Sequence, residues 1–85
     1  MRFYFHQHID GDLLEDPDGQ DFASAEAACV SALVSAKRLW AAAIVDGEDL
    51  SGQSIEIVDV SGRPVGSVPL ADALPFALGN MARRD

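Results

Sequence analysis

The chain predicts an α+β fold, an antiparallel sheet of three to four strands with one long helix packed across one face. The order is β-β-α-β-β with a short C-terminal helix. Three observations predict it. Residues 2–9 alternate aromatic and polar side chains with the period of a strand. An alanine-rich run opening at Ser24 keeps a helical period to Asp46-Gly47. A β-branched run over 54–60 meets a second over 65–70 across Ser61-Gly62-Arg63. The 85 residues make one small domain, 1–85, frayed over 81–85. A chain of this size buries only about 60 to 65% of its unfolded surface, so one helix on one sheet is near the limit of its core.

The first strand places Phe3, Phe5 and Ile9 on one face and Arg2, Tyr4, His6 and His8 on the other. Asp10-Gly11-Asp12 is a turn signal, and Leu13-Leu14-Glu15 supplies a short second strand. Asp16-Pro17-Asp18-Gly19 is a second turn, after which Gln20-Asp21-Phe22 returns briefly to extended structure. Ser24 is the N-cap of the helix, with Glu26 in its first turn, and Gly47 is its C-terminal stop. At about 100° per residue, Ala25, Ala28, Cys29, Ala32, Leu33, Ala36, Leu39, Trp40, Ala43 and Ile44 form the sheet-facing stripe. After a Gly- and Asp-containing loop comes the hairpin. Pro64 and Pro69 each remove a ladder donor, which puts its second strand at a sheet edge. Asp72 can cap the C-terminal helix, which buries Leu74, Phe76, Ala77, Leu78 and Met81. The expected core gathers Phe3, Phe5, Ile9, Leu33, Leu39, Trp40, Ile55 and Ile57.

The far side of the long helix is the unexpected feature. Ala27, Val30, Val34, Ala41 and Val45 cluster about 180° from the core stripe, with Lys37 and Arg38 at the border. A surface helix ordinarily carries Glu, Lys and Gln there. A helix apolar on two faces is ordinarily covered on both, which marks these seven residues as an interaction surface for a second copy or another protein. The alternative cover is the C-terminal segment folding back.

Composition excludes several classes. A net charge of −8 with only six basic residues, four of them in the pairs Lys37-Arg38 and Arg83-Arg84, does not suit a nucleic-acid backbone. No uninterrupted apolar run of about 18 residues is present to span a bilayer, and no basic and apolar leader opens the chain. The lone Cys29 suits a reducing compartment. The expectation is a cytoplasmic protein that binds neither nucleic acid nor membrane.

The motifs Arg2-Phe3-Tyr4-Phe5-His6, Asp10-Gly11, Glu15-Asp16-Pro17-Asp18-Gly19 and Asp21-Phe22 occur in a characteristic order. So do Ser24-Ala25-Glu26-Ala27-Ala28, Ile55-Glu56-Ile57-Val58-Asp59, Gly62-Arg63 and Val68-Pro69-Leu70-Ala71-Asp72-Ala73-Leu74. Over residues 2–74 the chain resembles a family of small bacterial proteins of unknown function. The resemblance implies no activity.

Residues 2–22 hold two histidines and six carboxylates, which raises the question of a metal or catalytic site. On a strand His6 and His8 project from one face with α-carbons roughly 7 Å apart. Zinc needs three or four protein ligands, so Asp10, Asp12 or Glu56 would have to complete the set. A calcium loop aligned on Gly19 has Leu14 and Ala25 where its essential carboxylates belong, so an EF-hand fails. Cys29 lies on the core stripe, and no nucleophile elbow or phosphate loop is present. The sequence therefore indicates a non-enzymatic, self-associating or protein-binding module with no cofactor, and strand-and-turn chemistry at the N-terminus. The rival reading is a metal- or small-ligand-binding protein using Tyr4, His6 and His8, with His6, His8 and Asp10 as the metal set.

Overall fold

The computed structural model describes residues 1–73. Its elements are β1 (Arg2–Ile9), β2 (Asp12–Leu14), β3 (Gln20–Asp21), α1 (Ala25–Asp46), β4 (Ser54–Asp59), β5 (Pro64–Pro69) and a 3-10 helix over Leu70–Ala73. The strands form one antiparallel sheet in the order β2-β1-β4-β5, with the two-residue β3 pairing the other end of β1. This is the α+β architecture of the sequence, with β3 as a fifth strand. Asp72, expected as the cap of a C-terminal helix, lies inside the 3-10 helix. The rest of that expected helix, Leu74 to Met81, and the tail 81–85 lie outside the described residues.

Local chemistry accounts for the boundaries. The Ser24 hydroxyl accepts the Ala27 N–H at the start of α1. At its end Gly47 takes a left-handed conformation, φ 74°, while Glu48 N–H bonds the Ala43 carbonyl at 2.7 Å. The Asp59 carboxylate holds the β4–β5 turn by accepting from the Ser61 N–H and hydroxyl and the Arg63 N–H. Pro64 and Pro69 bracket β5, which lies at the edge of the sheet as the prolines indicate.

Packing sets the height and lateral position of α1. Its contact line is made of alanines, with Ala28, Ala32 and Ala36 fully buried and Ala43 nearly so. At β5 the helix comes so close that a Cβ on Gly66 would lie 2.7 Å from Cys29 Sγ. Trp40 closes the C-terminal end of the layer, its indole N–H donating to the Leu70 carbonyl at 2.5 Å. Phe3, Ile55, Ile57, Leu50 and Leu70 complete the core. Phe5 and Leu39 are half-buried against it, and Phe22 stacks on Phe5 with ring centroids 5.7 Å apart.

Three core expectations are corrected. Leu33 and Ile44 are exposed at 38% and 39%, because they sit about 80 to 100° from the centre of the alanine line. Ile9, at the far end of β1, is only half-buried and does not join the core cluster. The helix also packs chiefly on β5 and β4, and less on β1. The inner face of the sheet beside β1 and β2 is left partly uncovered.

Candidate functional site

The acidic turn is an organised corner. The Asp16 carboxylate accepts the N–H of Phe5 at 3.2 Å with one oxygen, and those of Asp18 and Gly19 with the other. The Asp16 N–H in turn donates to His6 Nδ1 at 3.0 Å. Between β2 and β3, where the edge of β1 opposite β4 has no strand beside it, this side chain takes the Phe5 donor. Burial pushes the Asp16 carboxyl up, but the three backbone donors and the nearby His6 outweigh it and hold it below its usual value of 3.8.

His6 is therefore occupied on one nitrogen, and its ring stacks on Tyr4 at a centroid distance of 6.5 Å. His8 points from the same face but pairs with Glu56, Nε2 to Oε1 3.5 Å. Asp10 sits in the β1–β2 turn at φ 50°, in a hairpin whose next residue Gly11 also has positive φ. Among the described residues no three His, Cys, Asp or Glu side chains converge as a metal set would, so His6, His8 and Asp10 are not brought together.

The outward face of α1, which the sequence marks as a surface to be covered, is exposed among the described residues. Val30, Val34 and Val45 are 63%, 43% and 86% exposed, and Lys37, Arg38 and Ala41 are exposed beside them. Ala27 is half-buried at the margin. The displaced Leu33 and Ile44 join this face, extending it around Lys37. By length and composition α1 also meets the criterion for a bilayer span, contrary to the reading from uninterrupted apolar runs. The core helices of soluble domains meet the same criterion, and the alanine line of α1 lies on its own sheet.

The third feature is a groove of about 490 Å³ where α1 leaves the inner sheet face uncovered. Phe5, Leu14, Leu39 and Ile55 give it an apolar floor, Gln7 and Ser35 add neutral polar groups, and Glu15, Asp16 and Arg38 stand around it.

A family model described as a domain of unknown function, DUF6894, matches residues 2–71. The chain belongs to this family. No curated protein and no solved structure matches it. The matched span of this DUF6894 domain contains the Asp16 corner, the outward helix face and every residue lining the groove. Sequence reasoning missed the groove. The one signal was Gln7, a polar residue on the inward face of β1 between Phe5 and Ile9, where an apolar side chain is expected under a covering helix.

Proposed function

We propose that this DUF6894 domain is a non-enzymatic, cytoplasmic association module, and that the outward face of α1 receives a second copy of the same chain. The observation that carries the reading is the exposure of Val30, Leu33, Val34, Ile44 and Val45 along one side of a single helix. Full burial of each such side chain contributes roughly 1.5 to 3 kcal/mol, and a two-fold axis presents the patch twice.

Charge favours self-pairing. In an acidic chain of net charge −8, this face carries adjacent cations, Lys37 and Arg38, and at its N-terminal end Glu26. An antiparallel crossing that sets Val30 of one copy opposite Leu33 of the other also sets Glu26 opposite Lys37, since both pairs are centred on the same point of the helix. Ala27, close to this crossing point, is small enough to let the backbones approach.

Sedimentation equilibrium on wild type, Val34→Glu, Lys37→Glu and the exchange Glu26→Lys/Lys37→Glu tests it. A wild-type dimer, folded monomers for both single variants and a dimer regained in the exchange are the expected results. A wild type that stays a folded monomer at its highest soluble concentration overturns it, leaving a different protein as occupant. So does a Val34→Glu chain that unfolds, because the face would then be covered from within the chain.

A further inference from the structure

We propose that the groove between α1 and the β1–β2 edge binds a small zwitterion with an apolar body, of the size of a hydrophobic amino acid or dipeptide. The groove is lined, among the described residues, by one cation, Arg38, and by the carboxylate of Glu15. Among the described residues the two do not pair with each other, and neither has another ion-pair partner. Asp16 is committed to backbone donors of its own corner and is not available to a ligand. Opposite charges thus line one groove without pairing, beside an apolar floor, an arrangement that suits a carboxylate at Arg38, an ammonium at Glu15 and a hydrocarbon side chain on the floor.

The floor supports the apolar part. Leu14 is 59% exposed on the groove side, opposite Gln7 in the ladder, and Phe5, Leu39 and Ile55 lie within reach of the same occupant. A volume of about 490 Å³ falls in the range of small-molecule sites, about 300 to 1,000 Å³. Gln7 and Ser35 supply hydrogen-bonding groups that a purely hydrophobic ligand would leave unmet. Long-range charge selects the zwitterion over a simple anion. A chain of net charge −8 repels a free carboxylate, whereas a molecule of zero net charge approaches without that penalty.

The test is an amide-shift titration of the whole chain with L-leucine, L-phenylalanine and leucyl-leucine. The controls are 3-phenylpropionate, which lacks the amine, and phenethylamine, which lacks the carboxylate. Saturable shifts at Phe5, Gln7, Leu14, Ser35 and Ile55 are expected for the zwitterions, with Kd in the roughly micromolar to millimolar range. Arg38→Gln and Glu15→Gln should each weaken binding about tenfold, or about 1.4 kcal/mol, with the spectrum otherwise folded. Absence of saturation at about ten millimolar ligand overturns the proposal. Equal binding of either control overturns it too, as do shifts confined to residues outside the groove. Because Val34→Glu leaves the groove intact, binding by that variant is expected to persist whether or not the chain dimerises.

Discussion

Asp16 does more for this fold than its place in an acidic, Pro- and Gly-containing turn suggests. Its carboxylate holds three backbone donors and its own N–H reaches His6, so one residue fastens the 15–19 segment to β1. Asp16→Ala should cost about 1 to 3 kcal/mol in urea unfolding, since hydrogen bonds to a charged acceptor are lost from half-buried donors. The sign of its pH dependence follows from its lowered pKa. The contribution is fully present above the unfolded value near 3.8 and is lost as pH falls through the lower folded value. The stability difference between wild type and Asp16→Asn should therefore be constant from neutral pH down to about 5 and shrink below it. A gap that grows on acidification would contradict the assignment. Gly19 belongs to the same corner. It has φ 69°, and a Cβ would stand 2.8 Å from the Phe3 carbonyl and from the Tyr4 ring. Gly19→Ala combines left-handed strain with a clash against backbone, so a loss of about 1 to 3 kcal/mol is expected from thermal unfolding.

At the scale of the elements, α1 is held by closeness on one side and by one anchor at its end. Closeness is testable at Gly66, where the obstacle to a methyl group is the Cys29 thiol at 2.7 Å. Gly66→Ala should destabilise by about 1 to 3 kcal/mol, and Cys29→Ala in the same chain should recover most of the loss, a coupling that a double-mutant cycle reads directly. Additive losses would show that α1 is not seated on β5 at this point. The anchor is Trp40, 6% exposed and bonded to the Leu70 carbonyl. Trp40→Phe isolates the hydrogen bond and should cost about 1 to 2 kcal/mol, while Trp40→Ala should cost roughly 3 to 5. For a domain with a total of about 5 to 15 kcal/mol, the second change removes a large share of the stability.

For the molecule as a whole, a 22-residue helix of small inward side chains lies low and to one side of a sheet that is wider than it. That placement has two consequences at once. The outer half of α1 is left without a neighbour among the described residues, and the sheet beside β1 and β2 opens as the groove. The two surfaces meet at Arg38, which borders the apolar helix face and lines the groove. A chain that dimerises through α1 would therefore place two grooves on either side of its interface, and ligand in the groove should change the dimerisation constant if Arg38 serves both. Sedimentation with and without the tightest-binding zwitterion measures that coupling. An unchanged constant would show that the surfaces act independently.

The sequence by itself determined the elements, their order and most of their ends. Strand alternation, the Ser24 and Gly47 caps, the Asp-Gly turns and the two prolines of β5 act through neighbours a few residues apart, so they are readable without the fold. It also showed that α1 has two apolar sides, because helical period is a local property. The tertiary structure decided which of those side chains face inward. Leu33 and Ile44 share the apolar arc with Ala28 and Ala36, but alanines alone let the helix sit close to β5, and the rotation that achieves this turns the larger residues out. Only the tertiary structure also tied Asp16 to His6 and Phe5, ten and eleven positions away, and shifted α1 off β1 to open the groove. Those outcomes depend on long-range packing of small against large side chains, which no period in the chain encodes.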